Sequence, residues 1–349
     1  MLAAANAPGQ KTARSQRTAR GQRRPTIVDV AREAGVALRT VSRLINGDET
    51  VGAQYAERIR AAIDALGYQP DERARQLRAG RTHTLGATVR SIAETHPVLR
   101  AVDGSARALG LRMLAISTDD DPAREQEAIT SMCRRRVDGI LIEPVADSLA
   151  YLQPELDLGL AVIAFDRPAK GIALDTVLTD NRGGIRQAFA HLTALGHRRI
   201  GYIGDDERIH TGHERAEAVR ECLRSLGETL DGMVHTGPIH TEAVAAALDT
   251  LHRLSEPPTA LITGNAVTTL EAIRHLRQAH GPVALIGFDD FALADLLHPA
   301  PTVIAQNEAL IGATILELYH ERLADPEAPT RTVVIPTTLI VRGHDRLHG

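Results

Sequence analysis

Two arginines and a serine at helical spacing are the side chains of this sequence best suited to reading a nucleic acid. Arg39, Ser42 and Arg43 lie in the segment TIVDVAREAGVALRTVSRLIN, which spans residues 26–46. Leu38 shares their outward face. A guanidinium can donate two parallel hydrogen bonds to a guanine edge, and a hydroxyl can donate or accept one. A short helix that carries these groups and is braced by a second helix has the build of a DNA recognition helix.

The apolar residues of the same segment predict the two helices that would hold this face. Thr26 with Asp29 three residues later fits an N-terminal capping box, and Gly35 can adopt the positive φ that ends a helix. Val41 and Leu44 would face the core from the second helix. The apolar face of the first helix consists of Ile27, Val30, Ala31 and Ala34. The alternative is an ordinary helical hairpin with a solvated basic face.

A third amphipathic helix and a basic segment follow. Residues 54–66, QYAERIRAAIDAL, place Tyr55, Ile59, Ile63 and Leu66 on one face. The whole block, TIVDVAREAG, TVSRLING, AAIDALGYQP and ARQLRAGRT in that order, resembles the headpiece and hinge of the LacI/GalR family of bacterial transcription regulators. The resemblance implies a helix-turn-helix DNA-binding headpiece over residues 26–69 and a hinge over residues 70–84.

The resemblance also implies which residues meet DNA. In the hinge, Ala74 and Leu77 would enter the minor groove, with the leucine wedged at a central base step. The alternative is that Leu77 packs against the headpiece. Ala37 stands where the family usually has a capping serine, so the recognition helix has a weaker start. The headpiece contacts would come from Thr26, Leu38, Arg39, Thr40, Ser42, Arg43 and Asn46.

The charge of the chain is divided unevenly along its 349 residues. Residues 1–80 hold 14 Lys and Arg against 8 Asp and Glu, a net charge of +6. The remainder holds 26 against 36, a net charge of −10, which together gives −4. A basic end on an acidic body is typical of a DNA-binding module joined to a sensor, although a basic tail can also be merely solvated.

The chain has no targeting or membrane signal that we recognise. Residues 1–25 contain six Lys and Arg and no acid, which predicts a disordered basic tail. No apolar run approaches the ~18 residues of a transmembrane helix, and the N-terminus lacks the apolar core of a signal peptide. The two cysteines, Cys133 and Cys222, have no CxxC spacing and favour a reducing compartment. We therefore expect a cytoplasmic protein that does not bind membranes.

From residue 85 onward, strand-like apolar runs alternate with amphipathic helices. LGATV, LRMLAIS, DGILIEP and LAVIAFD precede residue 180, and RIGYIG, ALITG and VALIGFDD follow it. The alternation predicts parallel sheets covered by helices, and its restart predicts two similar lobes. Because ligands of open α/β sheets bind beyond the carboxyl ends of strands, the cleft between the lobes is the expected binding site.

Four stretches of this second part, RVDGILIEP, VLTDNRGG, HLTALGHRRIGYIG and LIGFDD, resemble the sensor half of the same family. The resemblance implies an α/β fold like that of periplasmic binding proteins, so the fold class is an all-α headpiece plus a two-lobed α/β sensor. It further implies an effector-binding and dimerisation domain over residues 85–349. Lobe one would comprise about 85–180 and 308–327, and lobe two about 181–307 and 328–349.

Six effector-binding residues are implied by the resemblance. Asp289, the first acid of GFDD, matches a hydroxyl-binding aspartate, and Arg215 opens the helix RAEAVRECLRSLG where the family has an arginine. Carboxylates and amides pair with vicinal hydroxyls, and three carboxylates around one arginine suit a sugar or sugar derivative. Each residue could instead be a strand-end cap or a surface charge. The six are Glu143, Asp166, Arg215, Asn265, Asp289 and Gln306.

Enzyme motifs do not stand out in the sequence. It contains no HExxH, GxSxG or GxxxxGK[ST], and GYIG at residues 201–204 is not a dinucleotide fingerprint. We expect no catalytic residue, no metal site and no cofactor. Two alternatives are a solute-binding module without regulatory activity and a sugar kinase fused to a DNA-binding domain.

The resulting hypothesis is a ligand-controlled transcriptional regulator of the repressor type. The resemblance implies a homodimer that binds a palindromic double-stranded DNA operator. The C-terminal run TVVIPTTLIVRGHDRLHG carries no leucine heptad, which favours a dimer over a coiled-coil tetramer. The sequence leaves open the identity of the effector and the operator sequence. It also leaves open whether the effector acts as an inducer or as a co-repressor.

Overall fold

The described residues divide into two units, one within residues 1–80 and the other within residues 81–349. The structure, a computed structural model, describes residues 24–48, 50–69, 81–92, 97–228, 231–279 and 283–343. The tail expected over residues 1–25 lies almost wholly outside the described residues. The predicted hinge does so from residue 70 to residue 80.

The first unit contains the three predicted helices, α1 (Ile27–Ala34), α2 (Leu38–Ile45) and α3 (Ala53–Leu66). The Asp29 carboxylate accepts a hydrogen bond of 2.9 Å from the Thr26 backbone N–H at the start of α1. Gly35 ends α1 with φ of 61°, in the left-handed region. Both predicted boundaries of the first helix are therefore confirmed.

The core of this unit is formed by the faces that the apolar spacing predicts, with one exception. Val30, Val41 and Ile59 are fully buried. Tyr55, which was expected on the buried face of α3, is 50% exposed. Its position in the first turn of α3 leaves the ring in solvent, and Ala56 takes the buried position beside it.

The second unit alternates strands and helices as the sequence predicts. The first series is β1 (Thr84–Val89), α4 (Pro97–Ala108), β2 (Arg112–Ser117), α5 (Pro122–Arg134), β3 (Gly139–Ile142), α6 (Gln153–Asp157), β4 (Ala161–Phe165) and β5 (Asp175–Thr179). The second series is α7 (Asn181–Ala194), β6 (Ile200–Gly204), α8 (His210–Ser225), β7 (Val234–Thr236), α9 (Thr241–His252), β8 (Ala260–Thr263), α10 (Ala266–Ala279), β9 (Ala284–Phe288) and β10 (Thr302–Ala305). The chain then forms α11 (Glu308–Ala324), β11 (Thr332–Ile335) and β12 (Thr338–Ile340).

These strands form two six-stranded sheets, one in each lobe. The order is β11-β5-β4-β3-β1-β2 in lobe one and β12-β10-β9-β8-β6-β7 in lobe two. All pairs are parallel except β10 with β12, which are antiparallel. Apolar clusters cover both faces of each sheet, as expected for parallel strands that helices enclose.

Within the described residues, the chain passes between the lobes three times, and the last passage differs from the expected boundary. The first two follow β5 and β10, close to the predicted positions. The third was expected near residue 327, but β11 still pairs with β5 in lobe one and β12 joins lobe two. The passage therefore lies between residues 335 and 338. The single run TVVIPTTLI contains two strands, and Pro336, which cannot donate a ladder hydrogen bond, lies between them.

Candidate nucleic-acid interface and ligand cleft

Helix α2 presents the side chains that the sequence predicts for DNA contact. Val41 is fully buried against α1 and α3, whereas Leu38 is 47% exposed and Arg39 is exposed. The N-cap, Ala37, makes no side-chain hydrogen bond, as its methyl group requires. Thr40 and Ser42 are half-buried, and Asn46 is exposed at the end of the helix.

Arg43 is held by the loop that follows α2. Its Nε donates to Asp48 Oδ2 at 2.6 Å, and its Nη2 donates to the Thr50 hydroxyl. The hydrogen bond and charge of Asp48 raise the pKa of Arg43, and Arg43 in turn holds the pKa of Asp48 well below its usual range. The guanidinium is thus fixed before any ligand arrives.

Three of the predicted DNA contacts lie away from α2. The Thr26 hydroxyl donates to Asp29 Oδ2 at 2.6 Å, so this side chain already takes part in the start of α1. Ala74 and Leu77 lie outside the described residues.

All six predicted effector residues line one cavity between the two lobes. Its volume is about 630 Å³, within the range of small-molecule sites. Lobe one contributes the ends of β3, β4 and β5, and lobe two contributes the ends of β8 and β9 and the first half of α8. The cavity therefore lies beyond the carboxyl ends of both parallel sheets, where their ligand site was predicted.

Arg215 is the most buried polar group of the cavity, with 4% of its side chain exposed. It lies in the second turn of α8, which begins at His210, and does not open the helix as the sequence suggested. Its Nε donates to Asn181 Oδ1 at 2.7 Å, and its Nη1 donates to the Gly264 carbonyl at 2.5 Å. The guanidinium carbon lies 3.7 Å from the centroid of the Phe288 ring. These contacts hold the side chain rigidly at the floor of the cavity.

Asp289 faces Arg215 at the end of β9. The nearest nitrogen and oxygen of the pair are 3.8 Å apart, and the residue has φ of 67°. Its Oδ1 accepts a hydrogen bond of 2.7 Å from Gln306, and the Gln306 oxygen accepts one from the Thr179 hydroxyl. Burial raises the pKa of Asp289, against the opposing effects of Arg215 and Gln306. These hydrogen bonds connect Asp289 of the second lobe to Gln306 and Thr179, which lie at two of the passages between the lobes.

Arg167, which the sequence analysis missed, is the centre of the lobe-one side. It donates to Glu143 Oε1 at 2.8 Å and to Asp166 Oδ2 at 3.0 Å, and it lies 3.6 Å from Asp120. Burial opposes its charge, but Asp166 and Glu143 outweigh burial and raise its pKa. Burial also raises the pKa of Asp120, with Arg167 opposing. Its position directly after the strand-end Asp166 was the one signal that could have revealed it.

Asn265 lines the cavity, but both ends of its amide are already engaged. Its Nδ2 donates to Asp205 Oδ2 at 2.6 Å, and its Oδ1 accepts from the backbone N–H and the hydroxyl of Thr268. Asn265 therefore caps the start of α10. A ligand would meet it at the remaining amide hydrogen.

The cavity contains charges of both signs, and the sequence-based count of one arginine is wrong. Asp290, one of the acids, forms a two-point ion pair with Arg342 at 2.7 and 2.8 Å. The lining arginines are Arg90, Arg100, Arg167 and Arg215, and the acids are Glu143, Asp166, Asp205, Asp289, Asp290 and Glu308. Because most acids already have a cation or amide beside them, their free lone pairs can accept hydrogen bonds from hydroxyl groups.

The described part of the chain offers neither a candidate metal site nor a helix that could span a membrane. No group of three or more His, Cys, Asp or Glu side chains there could hold a metal ion. Within the same residues, no helix is long and apolar enough to cross a membrane.

Known proteins match both units of the chain. Residues 26–71 match the family described as bacterial regulatory proteins, lacI family, and residues 189–343 match the periplasmic binding protein-like domain. The HTH-type transcriptional regulator PtxS of Pseudomonas plecoglossicida is 32% identical over 332 residues, which are 92% of this chain and 95% of that protein. The HTH-type transcriptional repressor PurR of Photobacterium profundum is 26% identical, over 91% of this chain and 97% of its own.

A solved structure of a transcriptional regulator has a fold similar to that of this chain. The complex of the transcriptional regulator CelR with cellobiose has a TM-score of 0.65 and 27% identity. The match covers 91% of this chain and 99% of that chain.

Proposed function

Because this chain belongs to the LacI family of bacterial regulatory proteins, we propose that it represses transcription from an operator and responds to a small molecule. Helix α2 reads the operator, and the interlobe cavity takes the effector. The relatives named above are regulators rather than enzymes. The proposed function requires the binding of operator DNA and of an effector, and it requires no catalytic step. Binding to operator DNA would place the protein in the cytoplasm.

The exposed face of α2 is the observation that supports operator reading. Leu38, Arg39 and Arg43 project from a helix whose opposite side, at Val41, is buried. Arginine contacts to guanine and apolar contacts to thymine methyl groups distinguish base pairs in the major groove. Contacts of lysines and arginines with phosphates add affinity that does not depend on sequence and falls with salt.

Replacing Arg39 tests this assignment. We expect Arg39→Ala to relax the base preference at one symmetric pair of operator positions, by about 1–3 kcal/mol of discrimination. A selection from randomised DNA, followed by binding titrations at fixed salt, measures the change. Arg60→Ala is the control, because Arg60 is likewise an exposed arginine of the headpiece but belongs to α3. An unchanged base preference in Arg39→Ala would contradict the assignment.

The hydrogen-bond donors and acceptors that line the cavity support a sugar or sugar derivative as effector. Carboxylate oxygens of Asp166 and Asp289 face the cavity from opposite lobes, and the buried Arg215 retains N–H groups beyond its bonds to Asn181 and Gly264. Vicinal hydroxyls can donate to the acids and accept from the guanidinium. The related regulator CelR binds cellobiose, a carbohydrate, in its solved complex.

The effector assignment predicts that a substitution in the cavity removes the response to the ligand without changing the affinity for the operator. Asp289→Ala should abolish the ligand response and leave operator affinity unchanged, because the residue lies in a different compact unit from α2. Operator release is measured over a carbohydrate panel, first with the unaltered protein to identify the effector. A normal response of Asp289→Ala to that effector would refute the assignment.

We also propose that the protein acts as a homodimer on a palindromic operator. A dimer would present two copies of α2 to two half-sites about one helical turn apart. Two leucines beside β9 support an interface on the second unit, since Leu293 and Leu296 are 67% and 63% exposed. Light scattering at micromolar concentration should give the mass of two chains, and a stable tetramer would contradict this.

A further inference from the structure

Arg43 forms a surface ion pair with Asp48, and the geometry of this pair indicates a role other than stabilising the fold. Its side chain is 48% exposed and that of Asp48 is 32% exposed. Exposed pairs of this kind add little to the free energy of folding. Yet three side chains, those of Arg43, Asp48 and Thr50, close a ring of hydrogen bonds beside the recognition helix.

Each member of the ring fixes the next one. Asp48 Oδ1 accepts from the Thr50 backbone N–H at 2.9 Å and from the Thr50 hydroxyl at 2.5 Å. Because that hydroxyl directs its hydrogen toward Asp48, its lone pairs are free to accept from Arg43 Nη2. The backbone N–H of Asp48 also donates to the Arg43 carbonyl at 3.0 Å, which keeps the acid beside the arginine.

The ring uses one side of the guanidinium and leaves the other side open. A guanidinium has five N–H groups, and the ring engages Nε–H and one hydrogen of Nη2. The two hydrogens of Nη1 and the second hydrogen of Nη2 have no partner in the ring. Two parallel hydrogen bonds to the O6 and N7 atoms of guanine require one hydrogen from each of these terminal nitrogens.

We propose that Asp48 and Thr50 are positioning residues that hold Arg43 ready for a two-point contact with guanine. This inference rests on the proposed reading of operator DNA by α2, in which Arg43 is a base-contacting residue. A long arginine side chain loses rotamer freedom when it binds, and the ring removes that freedom beforehand. Asp48 is therefore a determinant of specificity, although it carries a negative charge in a region that approaches phosphates.

The competing role for Asp48 is sequestration, in which the acid keeps Arg43 away from DNA. The two roles predict opposite effects of its removal. Without a positioning residue, discrimination at one base pair falls. Without a sequestering residue, affinity for the operator rises.

The test uses the full-length protein and an operator obtained by selection from randomised DNA. Affinities at fixed salt are measured for that operator, for versions changed at each position, and for unrelated DNA. Arg43→Ala identifies the base pair that Arg43 reads. We expect Asp48→Ala to lose discrimination at that same pair, on the order of tenfold, without losing affinity for unrelated DNA. Thr50→Val, which removes the acceptor of Nη2, should cause a smaller loss at the same pair.

Two further variants serve as controls for this test. Asp48→Asn keeps an acceptor for Thr50 and should retain the loop while it weakens the pair with Arg43. Asp64→Ala removes an exposed acid from α3 and should change no base preference. Circular dichroism on each variant verifies that the helices remain folded.

Three results would overturn the inference. Unchanged discrimination in Asp48→Ala would show that the ring has no role in reading. A rise in operator affinity that exceeds the rise for unrelated DNA would show sequestration, because loss of the negative charge alone strengthens binding to both. If Arg43→Ala alters no base position, the proposed role of Arg43 fails together with the inference. A change in Arg43→Ala without one in Asp48→Ala leaves the proposed function intact and removes only the positioning role.

Discussion

The two lobes present the cavity with the same pair of groups, an aspartate at a strand end and an arginine whose side chain is at most 13% exposed. Asp166 follows β4 in AVIAFD and Asp289 follows β9 in ALIGFD, and both have positive φ, 65° and 67°. In lobe one the arginine is the next residue, Arg167. In lobe two it is Arg215, which comes from a helix 74 residues earlier in the chain.

The partners of the two arginines differ in charge. Arg167 is surrounded by three carboxylates, those of Asp120, Glu143 and Asp166. Arg215 has one carboxylate at 3.8 Å, and its close partners are the neutral oxygens of Asn181 and Gly264. Lobe one therefore holds a net acidic cluster around one guanidinium, whereas lobe two holds a guanidinium in a largely neutral cage. Similar folds can thus place different electrostatics on the two sides of one ligand.

The largest change of stability with pH is expected for Arg167→Met. Its removal leaves three carboxylates close together. Breaking a fully buried pair costs about 3–5 kcal/mol, and because Asp166 and Asp120 are 26% and 37% exposed, the loss should lie at the lower end of that range. The cost should be greatest near pH 8 and should shrink as the pH falls. Burial already raises the pKa of Asp120, and Arg167 opposes that rise. Without Arg167 the folded variant should bind a proton at Asp120 more readily than the unfolded chain does, so its stability should increase as the pH falls.

Urea unfolding of the second unit between pH 5 and pH 8 measures this dependence. Arg124→Met is the control, because Arg124 is exposed in the same lobe and pairs with Asp119 at the surface. Equal destabilisation of Arg167→Met at both ends of the pH range would contradict a cluster of repelling carboxylates.

A loss of similar size at neutral pH, but a smaller change of stability with pH, is expected for Arg215→Met. Hydrogen bonds of a charged group to buried acceptors contribute about 1.5–3 kcal/mol each, and Asn181 and the Gly264 carbonyl would both lose theirs. Because only Asp289 remains as an acid and Gln306 still donates to it, the pH dependence should be weaker than for Arg167→Met. The same unfolding experiment compares the two variants, with Arg224→Met, exposed on the same helix, as control. A steeper pH dependence for Arg215→Met would reverse the contrast between the lobes.

The smallest change in stability is expected when the two strand-end acids become amides. Burial disfavours the charged form of Asp289, since its pKa is raised. A raised pKa means that ionisation lowers stability at neutral pH, so Asp289→Asn should cost less than about 1 kcal/mol. Asp166→Asn loses part of its bond to Arg167 and should cost slightly more. Thermal unfolding at pH 7 tests the order, and a large loss in Asp289→Asn would show that its charge is a structural requirement.

Local patterns in the sequence were sufficient for the headpiece and for the alternation of strands and helices. The start of α1 at Thr26 and its end at Gly35 depend on contacts within a few residues, which a sequence pattern records. Parallel strands buried on both faces leave continuous apolar runs, so the positions of β1 to β4 and of β6, β8 and β9 were also predictable. The division of the last run into β11 and β12 was missed, because Pro336 interrupts it without changing its apolar character.

The sequence by itself determined that polar side chains would gather at the strand ends of two lobes, and the family resemblance indicated six of them. Only the tertiary structure decided which charges face each other. Asp120, Glu143 and Asp166 follow three different strands, and they meet at Arg167 because parallel strands of one sheet end at a common edge. Likewise, the ring around Arg43 depends on how the loop after α2 folds back on the helix. Pairing between charges is a matter of a few ångströms, and that distance is set by packing rather than by spacing along the chain.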